Sequence, residues 1–252
     1  MSFEDGFNRT GAAKAAPAPP TTAEVTSWLC RLLQTTDSSY PTGGYAHSYG
    51  LEGLIQAGAV RDRATLRAFL LEAVLPGLRQ ADLPLVAHAW RAAGDENWAR
   101  LGELTQLAKA LKGPAELRGA AEKIGRQRAE LAARLNPNSA AGGFLEQSLA
   151  QGWSFTAPVT VGVEMQAAGA PLEAALAGYF YATVSGLVAA AMKLLRLGQN
   201  AAQALLTEAL AEAGAAAAHA IHVPVDEIGW ANPWVDVASA RHEIADARMF
   251  IS

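Results

Sequence analysis

The chain is poor in cysteine, in charge and in strand-forming residues, and each shortage excludes a class of protein. Its 252 residues include a single cysteine, Cys30, so neither a disulfide framework nor a thiolate metal cage can form within one chain. Charged residues make up 17% and the net charge is -4, which leaves no basic excess to neutralise nucleic-acid phosphates. We therefore expect no nucleic-acid partner, and the scarcity of cysteine fits a cytoplasmic location.

The residues that are plentiful favour helices. Alanine accounts for 56 residues and leucine for 30, whereas valine, isoleucine and threonine together number 32. Alanine and leucine are strong helix formers, and β-branched residues favour strands. The composition therefore predicts an all-α protein. The spacing of apolar residues and turn signals predicts one domain, a bundle of about ten helices.

The chain divides into a tail and a body. The Ala/Pro-rich residues 1–21 predict a disordered tail without the apolar run of a secretory signal, and residues 22–252 predict the helical domain. From Ala174 to Met192 the chain carries no charge over 19 residues, which is near membrane-spanning length. Eleven of those residues are Ala, Gly, Ser or Thr, so we interpret the stretch as the buried centre of a bundle and expect no membrane.

Two further helix predictions concern the middle of the chain. Asp62 is a suitable N-cap for a helix that the pair Pro76-Gly77 should end. A later helix, reaching Leu135, is charged over most of its surface and has a thin apolar stripe, so it should lie at the periphery. That stripe consists of Leu117, Ile124, Leu131 and Leu135.

Small residues recur within a helical pattern that resumes from Tyr45 to Gln56. Ala46, Gly50, Gly53 and Ala57 fall at i, i+4, i+7 and i+11. Glycine costs helix stability, so its repeated use here indicates close approach by another backbone. That backbone belongs either to a helix of the same chain or to a second subunit.

Two patterns suggest other chemistry. The run Ala46 to Gly50 resembles a nucleophile elbow around Ser48, although the elbow needs a preceding strand. His219 and His222 lie three residues apart, a spacing that can place two imidazoles on one helix face. A small helical metal-binding protein and a helical hydrolase are therefore the alternatives. Neither pattern completes a site, so we expect no enzyme activity and no resident cofactor.

The C-terminal segment has apolar residues on two sides of a helix that should begin near Trp234. Met249 and Phe250 lie on one side. Such a segment either docks on the body with Phe250 tucked in or becomes ordered against a partner protein. The other side is a stripe of Val237, Ala240, Ile244, Ala247 and Ile251.

Three blocks of the sequence together resemble the UreF family of urease accessory proteins. Residues 40–52 are similar to its N-terminal signature: a proline, two glycines, an aromatic residue, a serine and then Gly-Leu-Glu. Residues 193–203 are similar to its basic, Leu-Gly-Gln segment, and residues 241–252 to its C-terminal ending. Tyr40 departs from the usual leucine, and Asp246, Met249 and Ile251 depart from tyrosine, leucine and arginine.

The resemblance implies an all-α, homodimeric, non-catalytic scaffold. Such proteins bind the accessory protein UreD, also called UreH, and recruit the nickel-carrying GTPase UreG, whose GTP hydrolysis they can alter. The complex docks on apo-urease and helps to insert nickel, while the segment from Trp234 becomes ordered against UreD/UreH. The partner-binding residues implied by the three blocks are Tyr40, Pro41, Gly43, Gly44, Ser48, Gly50, Leu51 and Glu52; Lys193, Gly198, Gln199 and Gln203; and Arg241, His242, Glu243, Arg248, Phe250 and Ser252.

Overall fold

The computed structural model describes residues 19–44, 47–243, 245 and 248–250. The predicted tail up to residue 18 lies outside these residues. So do Tyr45, Ala46 and five residues of the C-terminal segment: Ile244, Asp246, Ala247, Ile251 and Ser252.

Over the described residues the chain is built from helices and contains no strand, which confirms the all-α prediction. The last helix, predicted to begin near Trp234, begins at Pro233. The helices are α1 (Thr22–Thr36), α2 (Leu51–Gln56), α3 (Arg63–Ala68), α4 (Leu75–Gly77), α5 (Leu83–Gly94), α6 (Trp98–Ala110), α7 (Ala115–Leu135), α8 (Ala140–Gln151), α9 (Ala157–Ala167), α10 (Leu172–Leu194), α11 (Gln199–Leu210), α12 (Ala213–Ala220) and α13 (Pro233–His242).

Helices α3, α4 and α5 form one continuous rod, so the prediction that Pro76-Gly77 ends a helix is wrong. Two π-helical segments, Phe69–Val74 and Leu78–Asp82, join the three helices. Each ends just before a proline-bearing turn. Leu75 donates to the carbonyl of Leu70, and Leu83 to that of Leu78, five residues back in both cases. These wider turns accommodate the prolines that follow, and burial of the leucines holds the rod together.

Helices α5 and α9 are the central pair and join two apolar clusters. A Cβ added at Gly162 would lie 2.6 Å from the carbonyl oxygen of Val86, so the two backbones are nearly in contact. Val86 and Met165 face a larger cluster with α2, α10 and α11. Leu85 and Val163 face a smaller cluster with α6 and α8. Both clusters therefore depend on the same crossing.

Helix α10 is the described helix that is long and apolar enough to cross a membrane. Half of the residues in its most apolar stretch are buried. The helix packs against α1, α2, α5, α9, α11 and α12. Leu176, Phe180 and Val184 lie in the larger cluster. Core packing accounts for the apolar character of this helix.

Helix α7 is not peripheral, and the apolar stripe predicted for it is only partly buried. Of that stripe, Ile124 is buried, Leu117 and Leu131 are half-buried and Leu135 is exposed. The rest of the buried face, which packs against α9, consists of small residues and Arg128. A Cβ added at Gly125 would lie 2.6 Å from the backbone nitrogen of Thr156. Small side chains let the helix approach this closely, which a leucine stripe would prevent.

Candidate functional site

The N-terminal block reaches α13 through a tight turn. Tyr49 and Gly50 both have positive φ, +53° and +85°, and α2 begins only at Leu51. The prediction of a helix through residues 47–50 is therefore wrong, and Gly50 is the N-cap rather than an interior residue. A Cβ added there would lie 2.5 Å from Ser239 Oγ, so Gly50 serves both the left-handed turn and the contact with α13.

Gly53 makes the closest approach between α2 and α13. A Cβ added at Gly53 would overlap the carbonyl group of Ala238 and lie 3.4 Å from the Cβ of His242. Within the described residues, the two glycines therefore form a helix crossing inside one chain. Ala57, the last member of the predicted small-residue stripe, is exposed.

The carboxylate of Glu52 binds the C-terminal segment. Its Oε1 accepts the backbone N–H of Met249 at 2.8 Å, and its Oε2 accepts that of Phe250 at 2.9 Å. The same Oε2 lies 3.0 Å from His242 Nε2. Burial raises the pKa of Glu52, but these hydrogen bonds outweigh it and hold the pKa below its ordinary value of 4.5.

His242 links this carboxylate to a second one. Its Nδ1 lies 3.1 Å from Glu116 Oε2, and the other oxygen of Glu116 accepts from Arg248 Nη1 at 3.0 Å. The His242 side chain is 1% exposed. Both ring nitrogens face carboxylate oxygens, so each must donate for both bonds to form. Helices α2, α7 and α13 are thereby connected at one point.

The ring of Phe250 closes the arrangement. Phe250 is buried in the larger apolar cluster, and Lys193 Nζ lies 5.4 Å from its ring centroid. A cation over an aromatic face at this distance is attractive. Residues from all three sequence blocks therefore meet here. We call the following residues the C-terminal clasp: Glu52, Glu116, Lys193, His242, Arg248, Met249 and Phe250.

The clasp leaves one face of α13 exposed. Trp234 is 81% exposed and Val237 is 49% exposed, and Ala240 and Arg241 are exposed beside them. The predicted apolar stripe is therefore not buried where the structure describes it. Its predicted helical course is also wrong, because α13 ends at His242 and residues 248–250 are not helical. Large apolar side chains exposed on a short helix are typical of a protein-binding surface.

Tyr40 lies in a different, buried network. Its hydroxyl donates to Glu164 Oε1, and Glu164 also forms an ion pair with Arg128. The guanidinium of Arg128 lies 5.2 Å from the centroid of the Tyr40 ring and donates to the carbonyl of Thr35 at 3.2 Å. Burial, reinforced by the charge of Glu164, raises the pKa of the Tyr40 phenol. Tyr40 thus anchors the 37–44 loop to α7 and α9.

The other predicted partner-binding residues divide between core and surface. Ser48 and Leu51 are fully buried. Gly43 and Gly44 are half-buried. Those that are exposed are Pro41, Gly198, Gln199, Gln203, Arg241 and Glu243.

Beside the clasp the surface opens into a shallow cleft of about 410 Å³. Its ionisable lining residues are His47, Glu116, Lys123, Glu243 and Arg248. Burial and the Lys123 ammonium lower the pKa of His47, against the opposing charge of Glu116. The cleft therefore presents groups of both signs next to the bound C-terminal segment.

The residues of the two alternative functions are engaged in structural contacts. Ser48 Oγ accepts the backbone N–H of Glu52 at 3.2 Å, and no strand precedes it in the described chain. His219 Nε2 lies 2.9 Å from Gln80 Oε1, while His222 is exposed. No group of three or more His, Cys, Asp or Glu side chains is placed to hold a metal ion among the residues that the structure describes.

Sequence reasoning missed Glu116, Arg128 and Glu164. Glu164 carries a signal in retrospect, because it is the single charge in the apolar run 157–170. Such a charge usually has a buried partner. Glu116 and Arg128 look like solvated residues of a charged helix, and only the fold shows their contacts.

Comparison with known proteins gives a consistent result. The sequence model of the UreF family matches residues 60–210. A urease accessory protein UreF of Granulibacter bethesdensis is 34% identical over 233 residues, covering 92% of this chain and 98% of that protein. A UreF of a Bradyrhizobium species is 34% identical over 243 residues, covering 96% and 99%. A UreF of Paenarthrobacter aurescens is 33% identical over 222 residues, covering 88% and 96%.

Proposed function

The chain belongs to the UreF family of urease accessory proteins, and from that premise we propose that it is a non-catalytic scaffold for urease assembly. It binds UreD/UreH, recruits the GTPase UreG and docks on apo-urease in the cytoplasm. Nickel is the cargo of that complex, and the chain has no resident cofactor of its own. The observation that carries the proposal is an exposed apolar helix face held in place by residues from three separate blocks.

We place UreD/UreH on the outward face of α13. Trp234 and Val237 are exposed there and do not belong to either apolar cluster of the described core. Tryptophan is the residue most enriched among those that dominate binding energy at interfaces. The clasp beneath α13 holds the helix still, which lowers the entropy cost of binding.

Substitution of Trp234 tests this assignment. We expect Trp234→Ala to weaken binding to co-purified UreD/UreH by about 30-fold or more, which corresponds to about 2 kcal/mol or more. Leu149→Ala is the matched control, since Leu149 is also exposed but lies on α8. Removal of residues 234–252 should abolish the interaction while far-UV helicity is largely retained. Unchanged binding by Trp234→Ala and by the protein lacking residues 234–252 would refute the assignment.

A homodimer is proposed from a second exposed apolar surface. Leu29 and Leu33 on α1, and Tyr181 on α10, are exposed on two helices that pack against each other. Soluble proteins rarely leave such apolar surface uncovered. Leu33→Asp should shift the mass measured by light scattering from dimer to monomer, whereas Leu135→Asp on α7 should not. A wild-type protein that is monomeric at micromolar concentration would end this part of the proposal.

The proposed role in the GTPase cycle is indirect. A pure sample should hydrolyse no GTP, because the sequence has no phosphate-binding loop. Addition of the protein to UreG should change the steady-state rate of GTP hydrolysis. A rate that stays constant over a tenfold excess of this protein would remove UreG modulation from the proposal.

A further inference from the structure

Glu52 stands out among the clasp residues because its one side chain holds two separate parts of the C-terminal segment. It accepts the backbone N–H groups of Met249 and Phe250 and faces His242 at the end of α13. Yet its side chain is only 6% exposed, beneath the segment that it binds. A partner seated on α13 therefore cannot touch it.

We propose that Glu52 is a positioning residue for partner binding, whose carboxylate fixes the C-terminal segment so that α13 presents Trp234 and Val237 in one orientation. The inference rests on the proposed function of the α13 face. It adds the device that sets the geometry of that face. Glu52, a residue of the N-terminal block, then acts on partner binding through the C-terminal segment rather than by touching the partner.

The chemistry of the site requires an ionised carboxylate. Met249 donates to one oxygen of Glu52, while Phe250 donates to the other, which also faces His242. A glutamine has one acceptor oxygen and one NH2 donor. Whichever way the amide turns, its NH2 faces one backbone N–H and breaks that hydrogen bond; the donor that is lost is either the buried N–H of Phe250 or the part-buried N–H of Met249. Glu52→Gln therefore keeps the shape of the side chain and breaks the clasp.

The rest of the interface cannot replace this connection. Gly50 and Gly53 bring α13 directly onto α2, so backbone and small side chains meet at this crossing. Helix α13 has ten residues and exposes most of its apolar surface. A helix of that length depends on tertiary contacts for its order. Loss of the Glu52 bonds should release α13 and the residues after it while the α5–α9 core stays folded.

Hydrogen exchange of the free protein tests the first half of the proposal. In Glu52→Gln we expect peptides from residues 233–250 to exchange about tenfold faster, with peptides from α5 and α9 unchanged. Glu146→Gln is the matched control, because Glu146 is exposed on α8. Glu52→Asp keeps two acceptor oxygens and should restore part of the protection.

Binding of purified UreD/UreH to the same proteins tests the second half. Glu52→Gln should bind about tenfold or more weakly, Glu52→Asp should fall between it and the wild type, and Glu146→Gln should match the wild type. If Glu52→Gln does not fold, Glu116→Gln replaces it, since it removes the carboxylate facing His242 Nδ1 and should change both measurements in the same direction.

The outcomes separate this inference from the proposed function. If Trp234→Ala and the protein lacking residues 234–252 both bind normally, the α13 face is not the docking surface and the function proposed for it fails. If Trp234→Ala binds weakly but Glu52→Gln exchanges quickly and binds like the wild type, the face is correct and the positioning role of Glu52 is refuted. Unchanged exchange in Glu52→Gln also refutes it.

Discussion

The crossing of α2 and α13 can be tested with two glycine-to-alanine substitutions that share a helix context. Gly53 lies inside α2 and Gly119 inside α7. Both substitutions gain about 0.5–1 kcal/mol of helix propensity. A Cβ at Gly119 meets nothing within 4 Å, whereas a Cβ at Gly53 overlaps the carbonyl of Ala238. Helix α13 would have to move by on the order of 1 Å to restore ordinary contact.

The propensity gain cancels when the two variants are compared, so their difference measures the crossing alone. Overpacking of this kind costs about 1–3 kcal/mol. We expect Gly119→Ala to be slightly more stable than the wild type and Gly53→Ala to be less stable than Gly119→Ala by that amount. Urea denaturation followed by far-UV circular dichroism gives both values.

Hydrogen exchange shows which part of the structure is disturbed by the added methyl group. Gly53→Ala should lose protection in α13 and in residues 248–250, because the clasp cannot close when α13 is displaced. Gly119→Ala should retain it. If the two variants agree within about 0.5 kcal/mol and protect α13 equally, the close approach at Gly53 is not a feature of the protein in solution.

Three other expectations follow from single contacts. Tyr40→Phe removes a buried hydrogen bond to the charged Glu164 and should lower the free energy of unfolding by about 2 kcal/mol. Thermal denaturation should show a lower melting temperature, and an unchanged melting temperature would mean that the hydroxyl is in solvent. The lowered pKa of Glu52 means that ionisation stabilises the docked segment above about pH 4.5. This contribution is lost as the pH falls through that value towards the lower folded pKa, so amide shifts of the segment should move in that range, and constant shifts there would contradict it. Exchange of both His219 and His222 for alanine should leave nickel and zinc uptake in equilibrium dialysis unchanged, and a fall in uptake would favour the metal-binding alternative.

Local sequence signals were sufficient where a helix depends on its own residues. The alanine and leucine content predicts the all-α fold. Pro158 and Pro171, each suited to the start of a helix, lie in the first turn of α9 and at the N-cap of α10. The same signals failed at Pro76, where burial of the surrounding leucines and a π-helical turn outweigh the local cost of proline. They failed again on α7, because a buried face of small residues resembles a weak stripe.

The candidate site depended on contacts far apart in the chain. The three sequence blocks identified Glu52, Lys193 and Phe250 as candidates but could not indicate that Phe250 contacts the other two. Glu52 and Phe250 are 198 residues apart, and their contact follows from the crossing of α2 and α13. Glu116 had no signal, since a glutamate in the first turn of a charged helix is ordinarily solvated.

The two π-helical turns of the α3–α5 rod rotate the later side chains about the helix axis relative to a regular α-helix. One residue of an α-helix corresponds to a rotation of about 100°, so a wide turn changes the direction in which every later side chain points. Leu66, before the first wide turn, and Leu70, within it, pack in the larger cluster. After the second wide turn, Val86 packs in that cluster and Leu85 in the smaller one. If the residues around Gln80 formed an ordinary α-helical turn instead, every later side chain would be rotated by about 100° and α5 would turn away from both clusters at once. The length of this segment is therefore more tightly constrained than the identity of its exposed residues.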